Sequence, residues 1–206
     1  MKIFFVFVCL MSISKFSHAL DINTVSAVLY GPTGFVTKPS ASTLNQGMGN
    51  IGVWESFDDG DNDNFYFLYG VRNWLELGVR TDIPSQDSLN FVFKINSGRQ
   101  DRLFKGFPLL AFGIYRSKSY FTASYQISPL MATIGTNLSD SNKGIFAGAS
   151  LQLSKYALVQ ADIEDRNFGL GLRGQFKNFQ LSLLYDGNLD QNIVDAKIYW
   201  GLGFSF

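Results

Sequence analysis

The last twelve residues, Asp195 to Phe206 (DAKIYWGLGFSF), divide into two sets by alternation. Ala196, Ile198, Trp200, Leu202, Phe204 and Phe206 fall on one side of an extended strand. Asp195, Lys197, Tyr199, Gly201, Gly203 and Ser205 fall on the other, because successive side chains of a strand point to opposite faces. One face is wholly apolar and ends in the terminal aromatic ring, while the other is largely polar or small. In water such a strand invites edge-to-edge aggregation. Lipid on one side and a watery lumen on the other is the environment that suits it.

The N-terminus bears on the same question. Lys2 is a positive n-region, Ile3 to Ile13 is a nearly unbroken apolar run, and Ser17-His18-Ala19 offers small residues where a signal peptidase reads. That run is shorter than the ~20 apolar residues needed to span a bilayer as a helix, so residues 1–19 are expected to be a signal peptide cleaved after Ala19. A lipoprotein reading through Cys9 would leave a signal of only eight residues. Cleavage after Ala19 removes the only Cys (Cys9) and the only His (His18), and with them any disulfide, thiol nucleophile, or Ser-His or Cys-His pair. Lys2 and Lys15 leave too, so 17 basic residues become 15 against 17 acidic, a formal charge of −2. No basic excess points to nucleic acid, and no cofactor is implied.

Residues 20–47 lack sustained alternation and are expected at, or folded into, the periplasmic mouth of the domain formed by residues 48–206. From Gly49 the chain reads strand, turn, strand without a break. Candidate strands are 49–57, 63–71, 74–82, 88–96, 107–116, 119–127, 130–138, 144–153, 156–164, 167–175, 178–186 and 193–206. Twelve is an even number, as single-chain bacterial barrels require, with ten as the fallback. Leu89, Phe91, Phe93 and Ile95 oppose Ser88, Asn90 and Lys94, and Ala157, Val159, Ala161 and Ile163 oppose Gln160, Asp162 and Glu164. Burying so many polar groups in a sandwich core without partners would cost several kcal/mol each, whereas a wet lumen removes the penalty. The predicted fold is therefore all-β, an antiparallel transmembrane barrel, with Arg80, Lys94, Gln126, Gln152, Asp162, Glu164 and Arg173 as lumen-lining candidates.

Turn lengths agree. With both ends periplasmic, four of the five inner turns are two residues long, and most outer loops are longer and rich in Asp, Asn and Ser. The exception is Asn96 to Gly106, whose Arg99, Arg102 and Lys105 suggest either a periplasmic contact or a plain solvated loop. Two strands pattern poorly. Phe65-Tyr66-Phe67-Leu68-Tyr69 is apolar on both faces, which would place its tyrosines in an interfacial girdle or signal a wrong register, and Pro108 interrupts 107–116.

Asp162 and Glu164, two residues apart on one face, are the nearest approach to a catalytic pair. Lumen carboxylates are more simply balanced by neighbouring cations, here Arg173 or Arg80. Asp58-Asp59-Gly60-Asp61-Asn62-Asp63 opens like a calcium loop but has Tyr66 where the Glu ligand belongs. The segment from Gly31 to Ala41 (GPTGFVTKPSA) is no phosphate loop, since the Gly-Lys-Ser/Thr ending is missing. Gly31 and Gly34 permit tight turns and Pro39 ends a short extended piece.

The terminal alternation, ending on Trp200, Leu202, Phe204 and Phe206, resembles the signal by which outer-membrane barrels are taken up by their assembly machinery. The Gly31–Ala41 segment, followed by Asn45-Gln46-Gly47 and a strand, resembles the opening of the YjbH-type outer-membrane barrels, which are linked to exopolysaccharide or capsule production. The likeness covers about residues 31–56 and, more loosely, Trp74 to Arg80. It implies a Gram-negative outer-membrane protein that assists polysaccharide export or forms a passive channel, with outer-membrane lipids, the assembly machinery and a polysaccharide or periplasmic export partner as partners. The rival expectation is a plugged structural or surface-interaction barrel. Neither reading involves an enzyme.

Overall fold

A computed structural model describes residues 32–34, 36–57, 63–83, 89–98, 106–115, 118–138, 144–189 and 196–206. Residues 1–19, where a signal peptide is expected, Gly31, the acidic stretch 58–62 and the basic stretch Arg99 to Lys105 lie outside them.

Twelve strands among the described residues form one closed antiparallel barrel. They are β1 Gly49–Ser56, β2 Asp63–Arg72, β3 Leu75–Ile83, β4 Leu89–Asn96, β5 Leu109–Tyr115, β6 Lys118–Ile127, β7 Leu130–Asn137, β8 Ile145–Ser154, β9 Ala157–Glu164, β10 Asn167–Phe176, β11 Phe179–Asn188 and β12 Lys197–Ser205. Each strand pairs with its sequence neighbours, and β12 closes onto β1 in the register Asn50↔Ser205 to Ser56↔Tyr199. Closure satisfies every strand edge, the one way a sheet can sit in hydrocarbon. The short turns at 73–74, 128–129, 155–156 and 177–178 share one end with Gly49 and Phe206, and short turns mark the periplasmic end of such barrels.

Alternation sorts the wall into two surfaces. Phe91, Phe112, Ile114, Phe121, Ile134, Ile145, Val159, Leu170, Leu172, Leu181 and Leu183 point outward and are exposed. So continuous an apolar belt is unstable in water and stable in lipid. Near the periplasmic turns the belt ends in Trp74, Tyr156 and Phe176. The Lys155 and Lys177 ammonium groups lie 4.7 and 5.7 Å from the Tyr156 and Phe176 ring centres, an arrangement suited to a membrane interface.

The inner surface departs from the expected watery lumen. Trp54, Tyr66, Leu68, Val92, Tyr115, Tyr120, Leu184 and Tyr199 are buried there, together with Val36 and Leu44 from the segment before β1. Inward glycines make the space for them. A Cβ at Gly201 would stand 2.3 Å from the Trp54 ring, and one at Gly113 would stand 2.3 Å from the Tyr120 hydroxyl. The double-faced apolarity of β2 follows from this interior. Phe67 and Tyr69 face lipid, but Tyr66 and Leu68 face inward and are buried, so Tyr66 belongs to the core and not to an aromatic girdle. The register 63–71 stands. Strand β5 begins at Leu109, because Pro108 has no N–H to give to a ladder.

Candidate functional site

The inner wall and residues 32–48 form the site. Glu76, Gly78 and Arg80 of β3, Lys94 and Asn96 of β4, Ser124 and Gln126 of β6, and Leu158, Gln160, Asp162 and Glu164 of β9 fall on the inward face through the strand period of two. Between them lies a hairpin of the preceding segment. It begins at Thr33, turns near Lys38 and returns to the periplasmic mouth at Gly47. Gly34 and Pro39 pair across it as an antiparallel bridge, and Ser40 N donates to Thr33 O at 3.2 Å.

Two carboxylates and one ammonium grip this hairpin through its backbone. Asp162 Oδ2 accepts from the N–H groups of Val36 (2.9 Å), Thr37 (2.7 Å) and Lys38 (3.0 Å), and its Oδ1 accepts from the Thr37 hydroxyl at 2.9 Å. Three successive N–H groups converging on one carboxylate form an anion nest, here filled by a side chain of the wall. Glu76 accepts from Thr33 N at 3.1 Å and Leu44 N at 3.0 Å, and the Thr33 hydroxyl lies 3.1 Å from its Oε2. Lys94 donates to Thr33 O at 2.7 Å, and to Thr33 Oγ1 and Ser42 O. It also lies 3.9 Å from Glu76, with both side chains fully buried. Gln160 Nε2 donates to Gly34 O at 3.2 Å, and Ala41 N donates to Ser124 Oγ at 2.8 Å.

At the outer end the Lys38 ammonium pairs with Glu164, whose other oxygen accepts from Asn137 Nδ2. Burial by itself lowers the Lys38 pKa. The hydrogen bond and charge of Glu164, with Tyr115 and Asp162 behind, outweigh it and hold Lys38 above the usual lysine value. At the periplasmic mouth Thr43 Oγ1 donates to Asn73 O at 3.0 Å and Gln46 N to Asn73 Oδ1 at 2.8 Å. Gly70 is required there, since a Cβ on it would stand 2.2 Å from Asn45 O.

Of the lumen-lining candidates, Lys94 and Asp162 hold the hairpin directly, and Glu164 holds its tip. Arg173 is fully buried, 5.9 Å from the Trp54 ring centre and within electrostatic reach of Tyr66 and Asp162. Arg80 is buried in β3. Gln126 and Gln152 stand apart near the periplasmic end, Gln126 on a recess of about 210 Å³ shared with Ser42, Thr43, Asn73 and Asn96. Gly34 and Pro39 sit in the hairpin. Glu76, Asn96, Ser124 and Gln160 were not singled out in the sequence, and parity with Lys94 and Asp162 is the signal that finds them. Asp162 and Glu164 do not form an acid–base pair facing an open cleft, because the hairpin occupies them. The chemistry of this arrangement is to hold a segment in a pore.

At the barrel seam Trp200 and Leu202 face outward. Phe204 packs edge-on against Phe179, with ring centres 5.2 Å apart, and Phe206 stacks 6.4 Å from both Phe67 and Phe204. Phe206 covers Gly49, where a Cβ would stand 2.3 Å from the ring.

The closed twelve-strand wall, apolar outside and lined with charge within, is the fold of an outer-membrane barrel. A solved structure described as KdgM porin is similar to it, with a TM-score of 0.51 and 12% identity over 77% of this chain and 99% of that one. At that identity the likeness is one of fold. No family model matches, and neither does any curated sequence.

Proposed function

We propose that this chain is a non-enzymatic outer-membrane barrel of the passive-channel kind, shut at rest by its own N-terminal hairpin. The observation that carries the reading is that, beside the packing of Val36 and Leu44, the hairpin is held by buried charges acting on its backbone. A filler meant to stay would be held at least as well by apolar packing, because ion pairs rarely gain over hydrophobic groups of the same shape once desolvation is counted. Buried charged groups whose hydrogen bonds to the hairpin backbone exist only while it is seated suit a contact that is made and broken. With the hairpin withdrawn, Arg80, Lys94, Gln126, Gln152, Asp162 and Arg173 would line the route.

Single-channel recording of the refolded barrel tests this. The wild type should be mostly silent with rare openings, and a variant lacking residues 33–46 should conduct continuously. Silence from both, with heat-modifiability on gels showing both folded, would leave the plugged structural barrel as the reading.

Polysaccharide export is the finer form of this proposal. What supports it is that the segment resembling the YjbH-type opening is the hairpin itself, so the likeness falls on the part that shuts the pore. Loss of surface polysaccharide on deleting the protein, restored by the wild type, is the expected result. Cleavage after Ala19, checked by N-terminal sequencing, and insertion by the barrel assembly machinery belong to the same reading.

A further inference from the structure

The hairpin is charged at one point. From Thr33 to Met48 the sequence TGFVTKPSASTLNQGM has a single ionisable side chain, Lys38. The fold sets that charge at the outer end of the lumen. Glu164, which receives the ammonium, is the last residue of β9, and the turn at 155–156 lies at the opposite end of the same strand. Both arms are rooted at the periplasmic mouth. Gly47 N donates there to Gly70 O at 2.8 Å and Gln46 N to Asn73 Oδ1 at 2.8 Å. Thr33 and Leu44, one on each arm, meet the same Glu76 carboxylate, one residue into β3 from that mouth. The exit that unseats both arms without threading them through the lumen is therefore towards the periplasm. Asp162, Glu164, Glu76 and Lys94 belong to strands and stay with the wall. The seven residue steps from Ala157 to Glu164, at about 3.3 Å each and a tilt of about 40°, span about 18 Å along the barrel axis. That is close to three quarters of the roughly 25 Å apolar band of such barrels. Each withdrawal thus moves one positive charge across most of the membrane-spanning depth.

We propose that Lys38 is the moving charge of a voltage-sensitive plug, opened by a potential positive on the outer side and held shut by the opposite sign. The proposal rests on the channel reading above. A charge displaced through a potential difference biases the two positions in proportion to the fraction of the field it crosses. One charge crossing about three quarters of the field changes the open-to-shut ratio about 15- to 20-fold per 100 mV. Glu164 has a separate part. It sets how firmly the tip is seated at zero potential, and it adds nothing to the voltage slope because it stays on β9.

Planar-bilayer recording tests this on the refolded wild type, K38M, E164Q and the barrel lacking residues 33–46, each shown folded by heat-modifiability. All four carry K155C, labelled with biotin, in the exposed periplasmic turn at 155–156. Streptavidin added to one chamber then perturbs only barrels whose periplasmic turns face it, which reports the orientation. Wild-type openings should become more frequent when the outer side is positive and rarer when the sign is reversed. E164Q should open more often at zero potential and keep the wild-type slope. K38M loses the same contact and should also open more often, but without a slope. A lysine with a structural role alone would not separate these two variants. The proposal is overturned by a wild-type slope surviving in K38M, by a slope of opposite sign, or by wild-type openings indifferent to potential while the hairpin-deleted barrel conducts. Each of those results leaves the channel standing. Silence from the hairpin-deleted barrel removes the channel and the voltage response with it.

Discussion

A carboxylate that accepts from three consecutive backbone N–H groups and a hydroxyl does its work through charge, and Asp162 is the residue where this fold is most sensitive to a single atom. D162N keeps the shape but turns an NH₂ or a neutral oxygen towards donors that need an anion. Hydrogen bonds to charged groups contribute about 1.5–3 kcal/mol. A loss of about 2–3 kcal/mol changes the seated-to-withdrawn ratio roughly 30- to 150-fold, at about 1.4 kcal/mol per tenfold. Hydrogen exchange at Val36, Thr37 and Lys38 should accelerate by that factor, while the β9 and β10 ladder amides keep their protection. Unchanged exchange at those three amides would show that the nest is not what seats the hairpin. In the sequence, alternation from Ala157 to Glu164 is enough to turn Asp162 inward. It says nothing of what Asp162 holds, because the partner is a backbone N–H 126 residues away. Backbone groups carry no side-chain signature. Lys94 is legible and illegible for the same reasons.

Strand β2 shows the equivalent limit for an element. A period of two reports which face meets lipid only if the other face meets water. Once Val36 and Leu44 fill the pore, Tyr66 and Leu68 are as apolar as Phe67 and Tyr69, and the pattern flattens. The strands whose alternation is clean, such as β4 and β9, set charged or amide groups against the hairpin. The flat one meets its apolar side. Leu68 is fully buried, above a glycine whose Cβ would lie 2.5 Å from it. L68A should therefore behave as a core truncation, costing about 2–5 kcal/mol, visible as an earlier loss of the compact gel band on heating. A matching change at outward Leu181 removes contact with lipid only and should cost clearly less. Equal losses at the two positions would mean that the interior is not packed as a core.

For the whole molecule, the decisive joint is the seam between first and last strands. Each of the other pairings is made by strands adjacent in sequence, so a short turn or loop helps to form it. The β1–β12 ladder joins residues about 150 apart and has no turn to help, and loop-closure entropy sets the cost of such a contact. Phe206 bears on that cost twice. Its backbone exchanges both hydrogen bonds with Gly49, at 2.9 and 3.1 Å, and its ring covers Gly49 beside Phe67 and Phe204. The terminal aromatic is thus a part of the closed wall as well as the end of an alternating pattern. Deleting Phe206 removes both contributions, whereas F206A removes the ring and keeps the two backbone bonds. If closure depends on the ring, F206A and the deletion should fold from urea into detergent with similarly reduced yields of the fast-migrating band, well below wild type. If the backbone pair is what matters, F206A should approach the wild-type yield and the deletion alone should fail. Refolding into detergent contains no assembly machinery, so a deficit there belongs to the seam. A deficit seen only in cells would belong to a step other than closure of the seam.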